Sequence, residues 1–376
     1  MARQLIYMDY AAATPLDEQV LAAMQPFWSE QFYNPSASYE AARAVRQALA
    51  EARGKVAHWL GAKPSEIIFT AGGTEANNLA IHGVMQRFPK SNIVVSGMEH
   101  ESVLEPARQY DCREVKLQTD GRIDLEDLRR QIDNKTVLVS LMYANNEVGT
   151  VQPLREIAKI VEEKRRGRAD LPLYFHTDAA QAANYLDLHV ARLGVDLMTL
   201  NGGKIYGPKQ SGALYVRAGI QLSPLIQGGG QERGLRSGTE NVAAAVGMAM
   251  ALDVAQSMRH EEASRLQKLQ QAFLDLVEKE LPQSKVNGSL KYRLPNNMHL
   301  TIPDKDNERL LIELEEAGVL AAAGSACSAS SEEPSHVLKA LGLSDDDARA
   351  SLRFTMGRGS DEAAVKRTVK ALKSVA

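Results

Sequence analysis

Val195-Asp196-Leu197-Met198-Thr199-Leu200-Asn201-Gly202-Gly203-Lys204-Ile205-Tyr206-Gly207-Pro208-Lys209 is the stretch from which the fold is read. It begins as an apolar β-type run and breaks, after Leu200, into a Gly-rich loop that carries a lysine. Similar runs stand on either side: Glu66 to Thr70, Asn92 to Ser96, Thr136 to Leu141, Leu173 to Thr177 and Gly212 to Val216. Helical patterns separate several of them, from Thr74 to Met85 and from about Pro153 to Arg165. Apolar β runs divided by helices predict a mostly parallel sheet covered on both faces. Ligands of such sheets gather beyond the carboxyl ends of the strands, which is where the Lys204 loop falls.

After Gly238 the pattern changes. Thr239 to Glu280 reads as one long helix, followed by a strand (Met298 to Ile302), a helix (Asn307 to Glu316), a strand (Val319 to Ala323) and a last helix from about Asp361 to Ser374. This predicts a second, smaller α+β domain. The expected division is 15–255 for the large domain and 1–14 with 256–376 for the small one, the boundary lying inside the long helix.

Composition narrows the function classes. The 376 residues are 44% hydrophobic and 24% charged, with a net charge of −3. That is ordinary for a soluble globular protein with enough chain for a core, and it argues against nucleic acid as a direct ligand. The two cysteines, Cys112 and Cys327, make neither a disulfide framework nor a zinc site. No apolar run approaches bilayer length and the N-terminus lacks an apolar signal core, so a cytoplasmic protein without a membrane partner is expected.

Six segments carry candidate chemistry. Thr70-Ala71-Gly72-Gly73-Thr74-Glu75-Ala76 reads either as a helix cap or as an anion site built on a helix N-terminus, with Gly73 and Thr74 at its centre. Thr177-Asp178-Ala179-Ala180-Gln181 follows a strand, and Asp178 reads equally as a cap or as a partner for a cationic ligand group. Lys204 is either an exposed loop lysine or, desolvated beside a cofactor, a Schiff-base amine. The Gly- and Arg-rich run Gly228 to Thr239 is a candidate anion loop. Gly324-Ser325-Ala326-Cys327-Ser328-Ala329-Ser330-Ser331 offers a thiol with no packing reason to be there, so a reactive role is favoured for Cys327, while Cys112, on a strand edge, is read as structural. Arg353, in Ser351-Leu352-Arg353-Phe354-Thr355, reads as a carboxylate clamp or as a surface salt bridge.

In this order, from Tyr7-Met8-Asp9-Tyr10 to Arg353-Phe354-Thr355-Met356-Gly357-Arg358, the segments resemble the cysteine desulfurases of the NifS/IscS type across nearly the whole chain. Lys-Ile-Tyr-Gly-Pro-Lys together with Gly-Ser-Ala-Cys is the most specific part. The resemblance implies a fold-type I aminotransferase architecture with a seven-stranded sheet, a homodimer, and pyridoxal 5′-phosphate (PLP) as cofactor. It further implies that Lys204 carries PLP as a Schiff base, Asp178 pairs with the ring nitrogen, His100 stacks on the ring and Gln181 bonds the phenolic oxygen. Thr74, with Gly73 and Asn201, would bind the phosphate, and Thr239 would reach the phosphate of the partner subunit. Asn146 and Arg353 would orient the carboxylate of L-cysteine, and Cys327 would take its sulfur as a persulfide. Sulfur would then pass to acceptors in iron–sulfur cluster assembly or tRNA thiolation. The segment from Cys327 to Pro334 has the longer form of the housekeeping branch.

The sequence departs from that family beside the lysine. Asn201 and Gly203 stand where a Ser and a His usually bind the phosphate, which implies weaker anchoring or replacement by backbone amides. Ala11-Ala12-Ala13-Thr14 has one Thr fewer than usual, and Tyr39 replaces a common His. The chain ends at Ala376, short of the tail of scaffold-binding members, which counts against docking of that kind. The competing readings are another fold-type I enzyme, such as an aminotransferase or selenocysteine lyase, and a PLP-free scaffold. Cys327 counts against an aminotransferase. Lys204, Asp178, His100 and Cys327 together count against a scaffold.

Overall fold

The computed structural model describes residues 5–168, 170–324 and 333–376. Its strands are β1 (Ile6–Tyr7), β2 (Ile67–Thr70), β3 (Asn92–Ser96), β4 (Asp111–Val115), β5 (Thr136–Ser140), β6 (Tyr174–Asp178), β7 (Leu197–Asn201), β8 (Gly212–Val216), β9 (Lys285–Val286), β10 (Asn297–Thr301), β11 (Val319–Leu320) and β12 (Ser351–Thr355). Seven of them form one sheet in the order β2-β8-β7-β6-β5-β3-β4. The β7–β6–β5–β3–β4 ladder is parallel throughout, and β8 runs antiparallel to both β7 and β2.

Strand periodicity explains why this sheet is buried on both sides. Successive side chains point to opposite faces, and the hydrophobic residues divide accordingly. Ile67, Phe69, Val94, Val139, Phe175, Met198 and Leu200 belong to one core, with the helix Glu40–Leu60 and the first part of the long helix Val242–Glu280. Ile68, Ile93, Val95, Val137, Leu197 and Leu214 belong to another, with the helix Gly73–Met85. β4, at the sheet edge, is the most exposed of the seven strands, with only Val115 buried.

The 39-residue helix Val242–Glu280 spans about 58 Å and joins two cores. Its residues up to Ala255 pack in the first core; from Leu266 to Val277 they pack with Ile6, Met8, Met298, Leu300, Leu352, Phe354 and Leu372. Around this last core lie an antiparallel sheet, β12-β10-β9, and a parallel pair in which β1 meets β11. The strand expected over Val319 to Ala323 stops at Leu320, because the chain then changes partner: Ala322 bridges Arg353 instead of continuing along β1. The Asp9↔Thr355 bridge brings the N-terminal segment against β12.

Candidate active site

Each of the sheet-derived candidate residues follows the carboxyl end of a strand. Thr70 ends β2 and leads to Gly73 and Thr74; Ser96 ends β3 and leads to Glu99 and His100. Ser140 ends β5 and leads to Asn146; Asp178 ends β6; Asn201 ends β7 and leads to Lys204. Gly73, Thr74, His100, Asn146, Asp178, Gln181, Asn201, Lys204 and Arg353 all line one cleft. The residues read separately from the sequence are therefore brought together, as the topology of an α/β sheet dictates.

Lys204 sits in a short 3-10 turn, Gly202–Lys204, capped by the Asn201 side chain, whose Oδ1 accepts from the Gly203 N–H at 3.0 Å. A Cβ at Gly202 would lie 2.1 Å from Ser211 Oγ, so only glycine fits there. The Lys204 ammonium donates to the carbonyls of Ala11 (2.9 Å) and Ala12 (2.6 Å). Gln181 Nε2 donates to the same Ala11 carbonyl at 3.0 Å. Thr14 secures this N-terminal segment: its Oγ1 accepts from the Tyr206 N–H and donates to the Gly203 carbonyl.

Asp178 is held by two donors. The Ala180 N–H reaches Oδ1 at 2.8 Å, and the Asn77 amide reaches Oδ2 at 2.7 Å. His100 caps the helix Glu101–Ala107 by accepting from the Ser102 N–H at Nδ1. Burial lowers the imidazole pKa, and the Asp178 carboxylate works against that shift. Beneath the cleft, His176 is buried between Ser140 and Thr199, and burial pushes its pKa down to about 3. Glu99, next to His100, is also fully buried. Its Oε1 accepts from Ser96 Oγ (2.6 Å) and the Met142 N–H (3.0 Å), and burial raises its pKa to about 8, so its carboxyl is protonated at neutral pH.

Arg353 is not in a surface salt bridge. It is 1% exposed, its Nη2 pairs with Asp9 Oδ1 at 2.7 Å and its Nη1 donates to the Asn146 carbonyl at 3.0 Å. Its Nε is buried without a partner among the described residues. A guanidinium with donors to spare, fixed by two neighbours, suits a carboxylate.

At the other end of the cleft, the helix Gly73–Met85 begins at Gly72 with no side-chain cap. A Cβ on Gly73 would lie 3.2 Å from Asn201 Nδ2, so glycine keeps the first helical turn open beside that amide. Uncapped N–H groups and the helix dipole favour an anion there. Arg236, from the Gly- and Arg-rich run, is not among the residues lining this cleft, and its Nε donates to Glu75 Oε1 at 3.0 Å. Thr239 is exposed and lies outside the lining of the cleft. Cys327 lies outside the described residues. Cys112 is half-buried on the edge strand β4, and burial pushes its thiol up to about 11, which leaves it a poor nucleophile.

The sequence did not single out Asp9, Asn77, Ser102 or Glu99, although Asp9 stands inside Tyr7-Met8-Asp9-Tyr10 and Glu99 directly precedes His100. Their roles depend on partners distant in the chain, such as the 344-residue separation of Asp9 from Arg353. The Ala11 and Ala12 carbonyls were invisible because backbone atoms leave no mark in residue type.

Fold and site together define a class. The chain belongs to the class-V aminotransferase family, which matches residues 6–367, and within it to the cysteine desulfurases. It is 43% identical to the cysteine desulfurase IscS of Dictyoglomus turgidum over 94% of this chain and 89% of that one. A solved NifS-like protein superposes with a TM-score of 0.92 at 31% identity, covering 99% of both chains. The structure of SspA in complex with cysteine superposes at 0.80 with 36% identity, covering 93% of this chain and 98% of that one. The fold is thus that of fold-type I enzymes, and the family is PLP-dependent. The donor set fits that cofactor: an amine in Lys204, a carboxylate in Asp178, an imidazole in His100, and an open helix N-terminus beside Asn201 for the phosphate. No helix among the described residues is long and apolar enough to cross a membrane.

Proposed function

We propose that this enzyme converts L-cysteine to L-alanine and takes up the sulfur on Cys327 as a persulfide. PLP, held by Lys204, Asp178, Gln181, Asn201, Gly73 and Thr74, supplies an electron sink for the α-carbon of the amino acid. The residues do the rest. Arg353, fixed by Asp9 and the Asn146 carbonyl, binds the substrate carboxylate together with Asn146. Lys204 Nζ moves the α-proton, and His100 faces the cofactor ring. The Cys327 thiolate attacks the substrate sulfur; the new S–S bond forms as the Cβ–S bond breaks, and protonation of the carbon fragment gives alanine.

The observation that carries this reading is the convergence of four residues in one cleft: Lys204, Asp178 and His100 from the carboxyl ends of β7, β6 and β3, and Arg353 from the middle of β12. In the same reading the enzyme is a cytoplasmic homodimer whose Thr239 reaches the partner's cofactor phosphate. Its large domain is 15–255 and its small domain 1–14 with 256–376, a division supported by the change of core along the long helix between Ala255 and Leu266. The IscS names of the relatives favour iron–sulfur assembly as the destination of the sulfur, with a tRNA-thiolation enzyme as a second acceptor.

Mass spectrometry tests the chemistry. Protein treated with cysteine should carry an extra sulfur on Cys327, and borohydride-reduced protein a pyridoxyl group on Lys204. Cys327→Ser should keep the yellow colour and lose the persulfide. Sulfide release by that variant at the normal rate would remove Cys327 from the mechanism.

A further inference from the structure

One buried side chain in the wall of the cleft has no part in the scheme above, yet its bonds run toward two residues that do. Asn77 is fully buried. Its Nδ2 donates to Asp178 Oδ2 at 2.7 Å and to Ser102 Oγ at 2.8 Å. An ionised carboxylate only accepts, so Asp178 dictates which way the amide lies. Asn77 Oδ1 then faces away, buried and without a partner among the described residues. The second amide hydrogen goes to Ser102 Oγ, and the Ser102 hydroxyl keeps its own proton for His100 Nδ1 at 2.9 Å. The Ser102 backbone N–H reaches the same nitrogen at 3.0 Å.

We propose that Asn77 is a positioning residue for the desulfurase reaction: through Ser102 it holds His100 as a neutral ring with its hydrogen on Nε2, and through the same amide it keeps the Asp178 carboxylate in register with that ring. The proposal rests on the reading of Asp178 and His100 as cofactor contacts. Two donors converge on Nδ1, so the single hydrogen of a neutral imidazole must be on Nε2. Protonating Nδ1 would set its N–H against that of Ser102, and the network therefore opposes the cation. Burial and the positive charges of Lys204 and His336 act in the same direction, while Asp178 and Glu101 act against it. Packing alone does not account for the amide. A leucine of similar volume would fill the space without leaving a buried carbonyl oxygen unpartnered.

The test is a histidine titration by NMR on the holoenzyme, with ring-15N histidine and His100→Gln to assign the resonance. The native enzyme should show the Nε2–H tautomer near neutral pH. Asn77→Leu removes both amide bonds. It should move the His100 midpoint upward, populate the other tautomer, and lower kcat roughly three- to tenfold with little change in KM. Ser102→Ala cuts the relay but spares the Asn77–Asp178 bond, and should give a smaller upward shift. Ser102→Thr, which keeps the hydroxyl, should restore the native titration. Should Asn77→Leu not fold, the two Ser102 variants decide the matter. An unchanged His100 midpoint and tautomer in Ser102→Ala overturns the relay. Failure of the native protein to take up PLP, read from its visible absorbance, would instead strike the reading of the site, and the titration would still report on the relay.

Discussion

The two ends of the cleft are built by different means. Around Asp178 and His100 side chains lead: the Asn77 amide and the Ser102 hydroxyl, joined by the backbone N–H groups of Ser102 and Ala180, make bonds between 2.7 and 3.0 Å. Around Gly73 and Thr74 it uses backbone: an uncapped helix N-terminus, a single amide from Asn201, and at position 203 no side chain at all. Side-chain networks fix protonation states and orientation, which the reacting end of a cofactor needs. Backbone amides and a helix dipole supply charge compensation without discrimination, which suffices for a phosphate. The contrast predicts that changes near Asp178 strike the rate, and changes near Gly203 strike the hold on the cofactor.

The largest effect should come from Lys204, which serves both ends. Lys204→Ala should abolish turnover and the borohydride-trapped adduct, while PLP still binds without a covalent link. A turnover above background in that variant would break the assignment. Next is Asp178→Asn, which keeps a hydrogen-bonding group but removes the charge beside the ring. Loss of a fixed electrostatic partner at a reacting centre costs on the order of a hundredfold in rate. Stopped-flow measurement of the first half-reaction should locate that loss in kcat, with PLP affinity changed far less.

How much of this was legible in the sequence follows the same divide between local and distant. Strands β3, β8 and β12 have the bounds that their apolar runs suggest, because a run flanked by breakers is local information. The long helix starts at Val242 rather than Thr239, because the Asn241 side chain accepts from the Ala244 N–H and so caps the helix three residues later. Lys204 and Asp178 were legible because strand–loop order places them. Asn77 and Ser102 were not: on their helices they read as ordinary polar residues, and only the meeting of the helix Gly73–Met85 with the turn after β3 gives them partners. Arg353 read equally as a surface residue, since nothing in Ser351-Leu352-Arg353-Phe354-Thr355 reveals that Asp9 is waiting to neutralise it.

The next prediction sharpens the phosphate end. Glycine at 203 is not forced by geometry. A Cβ there would meet nothing nearer than Asn201 Oδ1 at 3.5 Å and Lys209 Cα at 3.8 Å, ordinary contact distances. Gly203→His should therefore be accepted by the backbone and add a donor toward the anion. One hydrogen bond to a charged group contributes about 1.5–3 kcal/mol, so PLP should bind the native protein roughly tenfold to a hundredfold more weakly than it binds the variant. Fluorescence titration of the apoprotein reads this directly, and equal dissociation constants would show that the Gly202 and Gly203 amides already do the work of the missing side chain.

The smallest effect concerns stability, at Glu99 on the reacting side. Its pKa lies at about 8 in the folded protein against 4.5 for an ordinary glutamate. The folded state keeps the proton that the unfolded chain releases above pH 4.5, so stability falls as pH rises from about 4.5 to about 8, and is level beyond that. His176 and His299 act in the opposite sense at lower pH. Burial holds both at about 3 instead of 6.5, and the stability they contribute above pH 6.5 is lost as pH falls toward 3. Glu99→Gln mimics the protonated acid and cannot ionise. Its Oε1 can still accept from Ser96 and Met142, so the fold is kept, while the decline between pH 4.5 and 8 should flatten. Urea unfolding at pH 5 and pH 8 should show the variant gaining about 1–3 kcal/mol on the native protein at the higher pH, with the histidine-driven loss below pH 6 unchanged. A parallel fall in both proteins would mean that the Glu99 carboxyl is ionised in the fold. The next place to look would then be its second oxygen, Oε2, which has no partner among the described residues.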